Sequence, residues 1–463
     1  MKFPEWLDET HRPTGPGHEP RKAPIDRLTR PISHFLHIEA TSGLVLLACT
    51  LLALVLANSV WAEPFAELWQ TRVGFSFGSF QLFKPLILWI NDGLMCIFFF
   101  VIGLEIKREI VFGELQDRRK AALPAAAALG GMIFPAGLYL LLMSGQPGER
   151  GWGIPMATDI AFVVGFLALL GPRVPFGLKI LLLTLAIVDD IGAVLVIAVA
   201  YTTDISVASL GYAAVGFGLV YLFNRIGVRP VPVYVVLGAC IWLAFLKSGV
   251  HPTVAGVMLG MFTPAHPWFS ERSLLVVADG VAQRLRQDRE SGGNEAAHHE
   301  EAVAVLTHSA RETISPLDRL ETMLHPWVAF LIMPVFALAN AGVRIDLPEI
   351  GNPVSVAVMV GLVLGKPLGI VIFSWLAVRL GLARLPTGVN WKALIGAGCL
   401  AGIGFTMSLF IAGLALDGTQ LNAGKVGTLI GSTVSAILGM GMLIYFLPPT
   451  KQAKDDSAVT NGK

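Results

Sequence analysis

Twelve apolar segments of roughly the length that crosses the hydrocarbon core of a bilayer recur along the chain, several of them short or broken. They lie at residues 36–57, 86–106, 121–143, 152–170, 179–201, 205–223, 231–247, 250–266, 325–342, 354–376, 392–415 and 425–446. The 463 residues are 54% hydrophobic and only 14% charged, whereas soluble globular proteins carry about 25% charged residues. The sequence therefore predicts an all-α polytopic membrane protein with about twelve transmembrane helices.

The basic residues are distributed unevenly between the loops. If both termini lie in the cytoplasm, 27 of the 34 Lys and Arg residues fall on the cytoplasmic side and 6 on the outer side, while Lys366 lies within a segment. Cytoplasmic loops of membrane proteins carry this excess, so we predict that orientation. A net charge of +1 gives no indication of nucleic-acid binding.

The polar parts of the chain define its predicted organisation. Residues 1–34 and 448–463 form cytoplasmic tails, and residues 35–447 form the transmembrane domain. A hydrophilic cytoplasmic insert occupies residues 267–324 within that domain.

Two adjacent acids, Asp189 and Asp190, lie in the middle of the fifth apolar segment. One charged side chain at that depth costs roughly 2.5 to 3.5 kcal/mol, and two adjacent like charges also repel each other. Protonated acids that form hydrogen bonds between helices would account for the pair. We favour a water-accessible cation or proton site, because acids within a membrane usually mark a transport pathway.

Proline and glycine interrupt two segments at corresponding positions in the two halves of the chain. Pro155 lies in the fourth segment, and Gly402 and Gly404 lie in the eleventh, followed by Thr406. Proline removes a backbone donor, and glycine permits strained backbone conformations, so each helix is predicted to break within the membrane. Paired broken helices are typical of a binding site between inverted-topology repeats.

Asp159 follows the predicted break in the fourth segment, next to Thr158. Together with Asp189 and Asp190 these residues supply the carboxylate, hydroxyl and freed carbonyl oxygens that small hard cations such as Na⁺ or Li⁺ prefer, so we predict a cation and proton site formed by Thr158, Asp159, Asp189 and Asp190. Lys366, within the tenth segment, is expected to act as a counter-ion or as a proton carrier. If Na⁺ and H⁺ compete for the same carboxylates, alternating access converts that competition into exchange.

Eight motifs occur in an order that resembles the bacterial NhaA-type Na⁺/H⁺ antiporter family. They are Val188-Asp-Asp-Ile-Gly-Ala193, Ala157-Thr-Asp159, Gly103-Leu-Glu-Ile-Lys-Arg-Glu109, Leu246-Lys-Ser-Gly-Val-His251, Leu324-His-Pro-Trp327, Ala339-Asn-Ala-Gly342, Gly365-Lys-Pro367 and Gly402-Ile-Gly-Phe-Thr-Met407. The motifs fall across essentially every segment of the chain.

The resemblance implies an inner-membrane antiporter of twelve helices that exchanges cytoplasmic Na⁺ or Li⁺ for more than one proton and is activated at alkaline pH. It implies that Asp159 and Asp190 bind the cation and that Asp189 pairs with Lys366. It implies no cofactor besides the transported ions. The positions where the family places pH-response residues correspond to Glu105, Arg108, Glu109, His251 and Glu321.

Two features on the outer side have further interpretations. Residues 73–83 alternate between aromatic and small polar side chains, which predicts a short β-hairpin. An exposed ribbon of this kind can pair with a second copy of the chain through residues 61–84, although an interfacial aromatic belt accounts for the same pattern.

We expect Asp92 to cap its helix.

Other functions fit the sequence less well. Intramembrane aspartyl proteases carry one Asp on each of two helices, whereas Asp189 and Asp190 are consecutive, so we predict a transporter and no enzyme. A Na⁺-coupled symporter of an organic solute is the main alternative, but a neutral residue would be expected in place of Lys366. A channel is disfavoured because paired broken helices suit alternating access.

Overall fold

The computed structural model describes residues 39–78, 80–202, 204–228, 230–267, 274–283, 304–307, 309–310, 312–345 and 347–447. The predicted tails at residues 1–34 and 448–463, and much of the predicted insert, lie outside the described residues.

Long helices form most of the described chain. We number the main helices α1 Glu39–Ala57, α2 Ala62–Gln70, α3 Leu86–Phe112, α4 Arg118–Met143, α5 Ile160–Leu170, α6 Phe176–Ala200, α7 Val207–Ile226, α8 Val231–Leu246, α9 Thr253–Phe262, α10 Pro316–Asn340, α11 Pro353–Arg379, α12 Trp391–Ala401, α13 Phe405–Ala415 and α14 Gly418–Phe446. Two short helices lie at Leu274–Gln283 and Leu347–Ile350.

Within the described residues, eight helices are long and apolar enough to cross a membrane, or up to ten spans if each of two bent helix pairs counts as one. The bent pairs are α1 with α2 and α12 with α13. The shorter apolar helices α8 and α9 coincide with the predicted seventh and eighth spans. The fold is thus that of a multi-pass helical membrane protein, and the figure of twelve spans stays a prediction.

Burial is distributed as expected for a chain in lipid. Large apolar side chains such as Val199, Tyr212 and Phe176 are exposed by 81%, 75% and 77%. A few charged residues of the apolar helices are instead buried in the protein interior, among them Asp189 and Lys366, which are 1% and 0% exposed. A charge in this position needs partners within the protein, because the surrounding lipid offers none.

The predicted hairpin is confirmed by two antiparallel strands, β1 Arg72–Phe77 and β2 Phe80–Pro85. Arg72 pairs with Pro85, and Phe77 pairs with Phe80. Gly78 in the turn has a φ of 59°, a conformation that glycine adopts without steric cost. Helix α2 turns by 114° from α1 and precedes the hairpin directly.

Helices α4 and α11 contact each other through backbone atoms. A Cβ atom added to Gly130 would lie 2.1 Å from the carbonyl oxygen of Gly369, and one added to Gly369 would lie 2.0 Å from that of Gly130. Gly361 and Gly365 precede Gly369 at intervals of four residues and pack against Pro155 and Pro135. Small residues at this spacing let membrane helices approach closely, and here they hold α11 against α4 and the fourth span.

Among the described residues, three long helices contain a π-helical turn. The turns lie at Trp89–Leu94 in α3, Val328–Ile332 in α10 and Gly361–Gly365 in α11. The first contains Asp92, and the third ends immediately before Lys366. Such turns often occur at functional sites because they redirect side chains away from the regular helical position.

Helix α10 begins earlier than its apolar residues indicate. The Ser315 hydroxyl accepts a hydrogen bond from the backbone N–H of Asp318, and Pro316 occupies the first helical position. Both features favour a helix start at that point. Residues 316–324 are therefore helical, although we predicted them to belong to the polar insert.

The contact between α4 and α11 gives a testable prediction. Gly130→Ala should lower the stability of the protein by about 1–3 kcal/mol, because the new methyl group meets backbone that cannot move aside. The matched control is Gly137→Ala in the same helix, where an added Cβ meets nothing within 4 Å. Thermal unfolding in detergent measures both, and an equal midpoint for the two variants would contradict the packing argument.

Candidate cation and proton site

Two interrupted helices lie against each other in the middle of the protein. The fourth span consists of a 3-10 segment at Glu149–Met156, an extended stretch at residues 157–159 and helix α5. Helices α12 and α13 are separated by residues 402–404 and bent by 47°. The backbone N–H of Asp159 donates to the carbonyl oxygen of Ile403 at 2.7 Å, so the two interruptions are directly joined. The predicted interruptions are therefore present, and freed backbone groups at this depth are tolerated because they are buried in protein.

Gly402 and Gly404 are needed for space rather than for an unusual conformation. Their φ angles are −68° and −89°, which any residue can adopt, so the expectation of strained backbone was wrong. A Cβ on Gly402 would lie 2.5 Å from the carbonyl oxygen of Leu362, and one on Gly404 would lie 3.1 Å from that of Ala157. Pro155 lies inside the 3-10 segment, and the extended stretch begins two residues after it.

Asp159 receives hydrogen bonds from the beginnings of both half-helices. Its Oδ1 atom accepts from the N–H of Phe162 at 3.3 Å and caps α5. Its Oδ2 atom accepts from the N–H of Thr406 at 3.1 Å and from the Thr406 hydroxyl. Helix N-termini carry partial positive charge, so these contacts offset part of the cost of burying a charge on Asp159.

Lys366 and Asp189 form a fully buried ion pair. The Lys366 Nζ atom lies 3.0 Å from Asp189 Oδ2, and both side chains are 0% exposed. Lys366 also donates to the carbonyl oxygen of Met156, which ends the 3-10 segment. The same ammonium group therefore neutralises a carboxylate and gives a hydrogen bond to a backbone carbonyl group at the interruption.

Thr158 connects the ion pair to the other broken helix. Its hydroxyl lies 2.6 Å from Asp189 Oδ2 and 3.0 Å from the carbonyl oxygen of Ala401. Both atoms are acceptors, and a hydroxyl has one proton, so Thr158 donates fully to only one of them at a time.

Asp190 is the least satisfied of the three acids. It is 2% exposed, and its Oδ1 atom has no hydrogen-bond partner within the described residues. Asp189 Oδ1 is likewise unpartnered in that part of the chain. Buried acceptors without a partner are unusual, and a cation or a proton would satisfy them.

A cavity of about 720 Å³ leads to one side of this cluster. Its wall includes Thr158, Asp159 and Asp190, whereas Asp189 and Lys366 are not part of the wall. It extends to Glu114, Asp117 and Lys120 near the beginning of α4. We call this cavity the funnel. It brings Asp190 within reach of water while leaving the ion pair enclosed.

Four of the five predicted pH-response residues also line the funnel, namely Glu105, Arg108, Glu109 and Glu321. Arg108 and Glu321 form an ion pair between α3 and α10. Glu109 Oε1 accepts a hydrogen bond from the N–H of Glu114 at 2.8 Å.

The fifth predicted pH-response residue, His251, is not part of the funnel wall. Its Nδ1 atom is 2.8 Å from the hydroxyl of Thr253, and its Nε2 atom is 3.6 Å from Asp92 Oδ1. Asp92 Oδ2 pairs with Lys84 of β2 at 2.8 Å. Asp92 thus holds the hairpin to α3 and makes no capping hydrogen bond, so the prediction that it caps a helix was wrong.

Several structural residues of the site carry no clear signal in the sequence. Ser408 donates to the carbonyl oxygen of Ile154 at 2.6 Å, and Ser432 of α14 accepts from the N–H of Phe405 at 3.0 Å. Asn340 donates to Asn91 at 2.9 Å and so links α10 to α3. Isolated serines and asparagines in apolar segments were the available signal, but only the fold shows which backbone groups they satisfy.

Across the residues described, no group of three or more His, Cys, Asp and Glu side chains converges as a metal centre would require. The acids of the cluster are accompanied instead by hydroxyl and carbonyl oxygens of the interrupted segments. These groups suit a weakly held, hard, monovalent cation better than a resident transition metal.

Comparison with known proteins agrees with this architecture. Residues 33–443 match the model of the family described as Na⁺/H⁺ antiporter 1. The chain belongs to this family. An NhaA Na⁺/H⁺ antiporter of Rhodopirellula baltica is 53% identical over 430 residues, which cover 93% of this chain and 97% of that protein. Antiporter NhaA 1 of Acidiphilium cryptum is 51% identical over 431 residues, covering 93% and 95%. The NhaA antiporter of Rhizobium meliloti is 49% identical over 431 residues, covering 93% and 98%.

Membership of the Na⁺/H⁺ antiporter 1 family confirms the resemblance seen in the eight motifs. It also confirms the prediction of a secondary transporter, since antiporters move ions and catalyse no covalent reaction. The roles of the individual site residues stay predictions.

The buried ion pair gives a prediction that is independent of transport. Lys366→Ala should lower stability by about 3–5 kcal/mol, because it leaves the buried Asp189 carboxylate without a counter-charge. Thermal unfolding in detergent measures the effect. Adding Asp189→Asn to Lys366→Ala should recover much of the loss, and a Lys366→Ala protein as stable as the wild type would refute the pairing.

Proposed function

We propose that the protein exchanges cytoplasmic Na⁺ or Li⁺ for external H⁺ across a bacterial inner membrane, with both termini in the cytoplasm. The observation that carries this proposal is the arrangement of the three acids. Asp190 Oδ1 has no hydrogen-bond partner among the described residues, and Asp190 forms part of the funnel wall, while Asp189 is paired with Lys366 behind it. Membership of the Na⁺/H⁺ antiporter 1 family supports the same activity.

The proposed mechanism is competition between a cation and protons. Asp190 and Asp159 bind Na⁺, assisted by the Thr158 hydroxyl, and burial favours the protonated acid when the cation is absent. A bound cation beside Asp189 weakens the attraction between Asp189 and Lys366, and Lys366 then releases its proton. Loss of protons from more than one group for each cation makes the exchange electrogenic.

The charges along the funnel support its assignment to the cytoplasmic side. The loop between α3 and α4 contributes Glu114 and Asp117 to the wall, and the first turn of α4 contributes Lys120. Arg118 and Arg119 begin the same helix, so this end of α4 is basic. Basic loops of membrane proteins lie in the cytoplasm. We place alkaline activation in this region, where Glu105, Glu109 and the ion pair between Arg108 and Glu321 control the approach to Asp190.

We also propose that two copies associate through residues 61–84. The hairpin supports this proposal because Val73 and Phe83 are 48% and 52% exposed. An antiparallel pair leaves unpaired backbone groups along its outer edges, which a second hairpin can satisfy.

Transport in inside-out vesicles tests the proposal directly. With an imposed pH gradient, NaCl and LiCl should collapse the gradient and KCl should not. Asp190→Asn should reduce the Na⁺ response at least about a hundredfold, because it removes the charge that binds both competing ions. Asp417→Asn should keep wild-type activity, since Asp417 is exposed and its side chain makes no capping hydrogen bond.

The same assay separates the proposal from its main alternative. A response that requires an added organic solute indicates a symporter. Full Na⁺ extrusion by the Asp190→Asn variant would refute the competition mechanism.

His251 provides a test of the regulatory assignment. His251→Ala should shift the pH dependence of exchange by less than about one pH unit and leave the saturating rate almost unchanged, because the side chain lies outside the funnel wall. Measuring the gradient collapse between about pH 6 and about pH 9 provides the profile. Loss of Na⁺ binding in this variant would contradict the peripheral role.

A further inference from the structure

A second cavity, of about 960 Å³, lies beside the funnel. Its wall is built from the beginnings of two spans, α4 and α6, and from the segment at residues 381–387 that follows α11. Three span ends meet there, so the cavity lies where the apolar part of the protein meets its polar surface. We call it the basic cavity, after the residues Arg119, Lys120 and Arg384 in its wall.

The charge of the basic cavity is mostly positive. Among the described residues of its wall, Glu114 is the only acid, and its Oε2 atom lies 3.4 Å from Lys120 Nζ. The side chains of Arg119 and Arg384 make no ion pair with any described residue. Helix α6 begins at the same wall without a side-chain cap, and its partial positive charge adds to that of the two arginines.

The other part of the wall is apolar and open to the surroundings. Phe176 and Leu382 are 77% and 63% exposed, and Leu123, Ile180 and Leu181 lie deeper. Two arginines without an ion pair in the described part of the chain lie next to exposed apolar side chains, at the level where spans begin. This combination matches a molecule with an anionic head and an apolar tail.

We propose that the basic cavity binds the phosphate group of an anionic phospholipid through Arg119 and Arg384, with an acyl chain against Phe176 and Leu382. Arginine is suited to this role because its planar guanidinium group donates two parallel hydrogen bonds to phosphate oxygens. Free phosphate shares the head-group chemistry but gains nothing from the apolar part of the wall.

The position of the basic cavity links lipid binding to ion access. Its wall and that of the funnel have Glu114, Lys120, Ile180 and Thr184 in common. A phosphate group in the basic cavity competes with Glu114 for Lys120. Release of Glu114 makes the entrance of the funnel more negative, which favours entry of a cation.

The test is a titration of the detergent-purified protein with phosphatidylglycerol. The midpoint of thermal unfolding is measured at each lipid concentration. Parallel titrations use phosphatidylcholine and inorganic phosphate at matched ionic strength. The variant is Arg119→Gln with Arg384→Gln. The matched control is Arg173→Gln with Arg225→Gln, which removes two exposed charges of the same predicted side from outside the cavity wall.

Phosphatidylglycerol should raise the midpoint saturably, and the variant should increase the half-saturating concentration at least about tenfold while the control pair stays within about twofold. The proposal is overturned if phosphatidylcholine acts equally, if both double variants respond alike, or if inorganic phosphate alone gives the full rise. Arg384→Gln against Arg225→Gln repeats the comparison with single substitutions, and an equal response of these two also overturns it.

Discussion

The ion pair between Lys366 and Asp189 is the interaction on which the arrangement of the site depends. Each charge alone would be costly within a membrane, and the pair reduces that cost only because additional hydrogen bonds complete its surroundings. Those bonds come from Thr158 and from the carbonyl group of Met156. The charges are therefore stable only where backbone groups are free, which explains why they lie at an interruption of the fourth span.

The backbone groups freed at the two interruptions are satisfied in the same manner. Asp159 accepts hydrogen bonds at the N-terminal ends of α5 and α13, and Lys366 donates a hydrogen bond at the carbonyl end of the 3-10 segment. The net effect is that partial charges of the half-helices are balanced by full charges of side chains. Asp190 takes no part in this charge compensation. One of its oxygens has no partner among the described residues, and the residue lies in the wall of the funnel. The acid that is not needed for structural compensation is the one available to an arriving ion.

Much of this site could be predicted from the sequence, because charges and helix breakers are rare in apolar segments and each needs a reason. The adjacent acids, Lys366, and the breaks near Pro155 and Gly404 were found in this way. The function of the glycines was misjudged, since a sequence shows that glycine permits unusual angles but not that a neighbouring carbonyl group leaves no room for a Cβ atom. Asp92 was misjudged for a similar reason, as its partners Lys84 and His251 come from other elements. The start of α10 was missed because Asp318, Arg319 and Glu321 interrupt the apolar residues of its first turns, although these turns are helical.

The glycine contact between α4 and α11 limits how the molecule can change shape. Packed side chains can slide past one another by changing rotamers, but Gly130 and Gly369 place two backbones in contact with no such adjustable layer between them. Sliding one helix along the other would drive carbonyl groups into neighbouring residues. Helices α4 and α11 should consequently move as one rigid block that carries Lys366 of α11. We expect any opening towards the opposite side of the membrane to take place at the borders of that block.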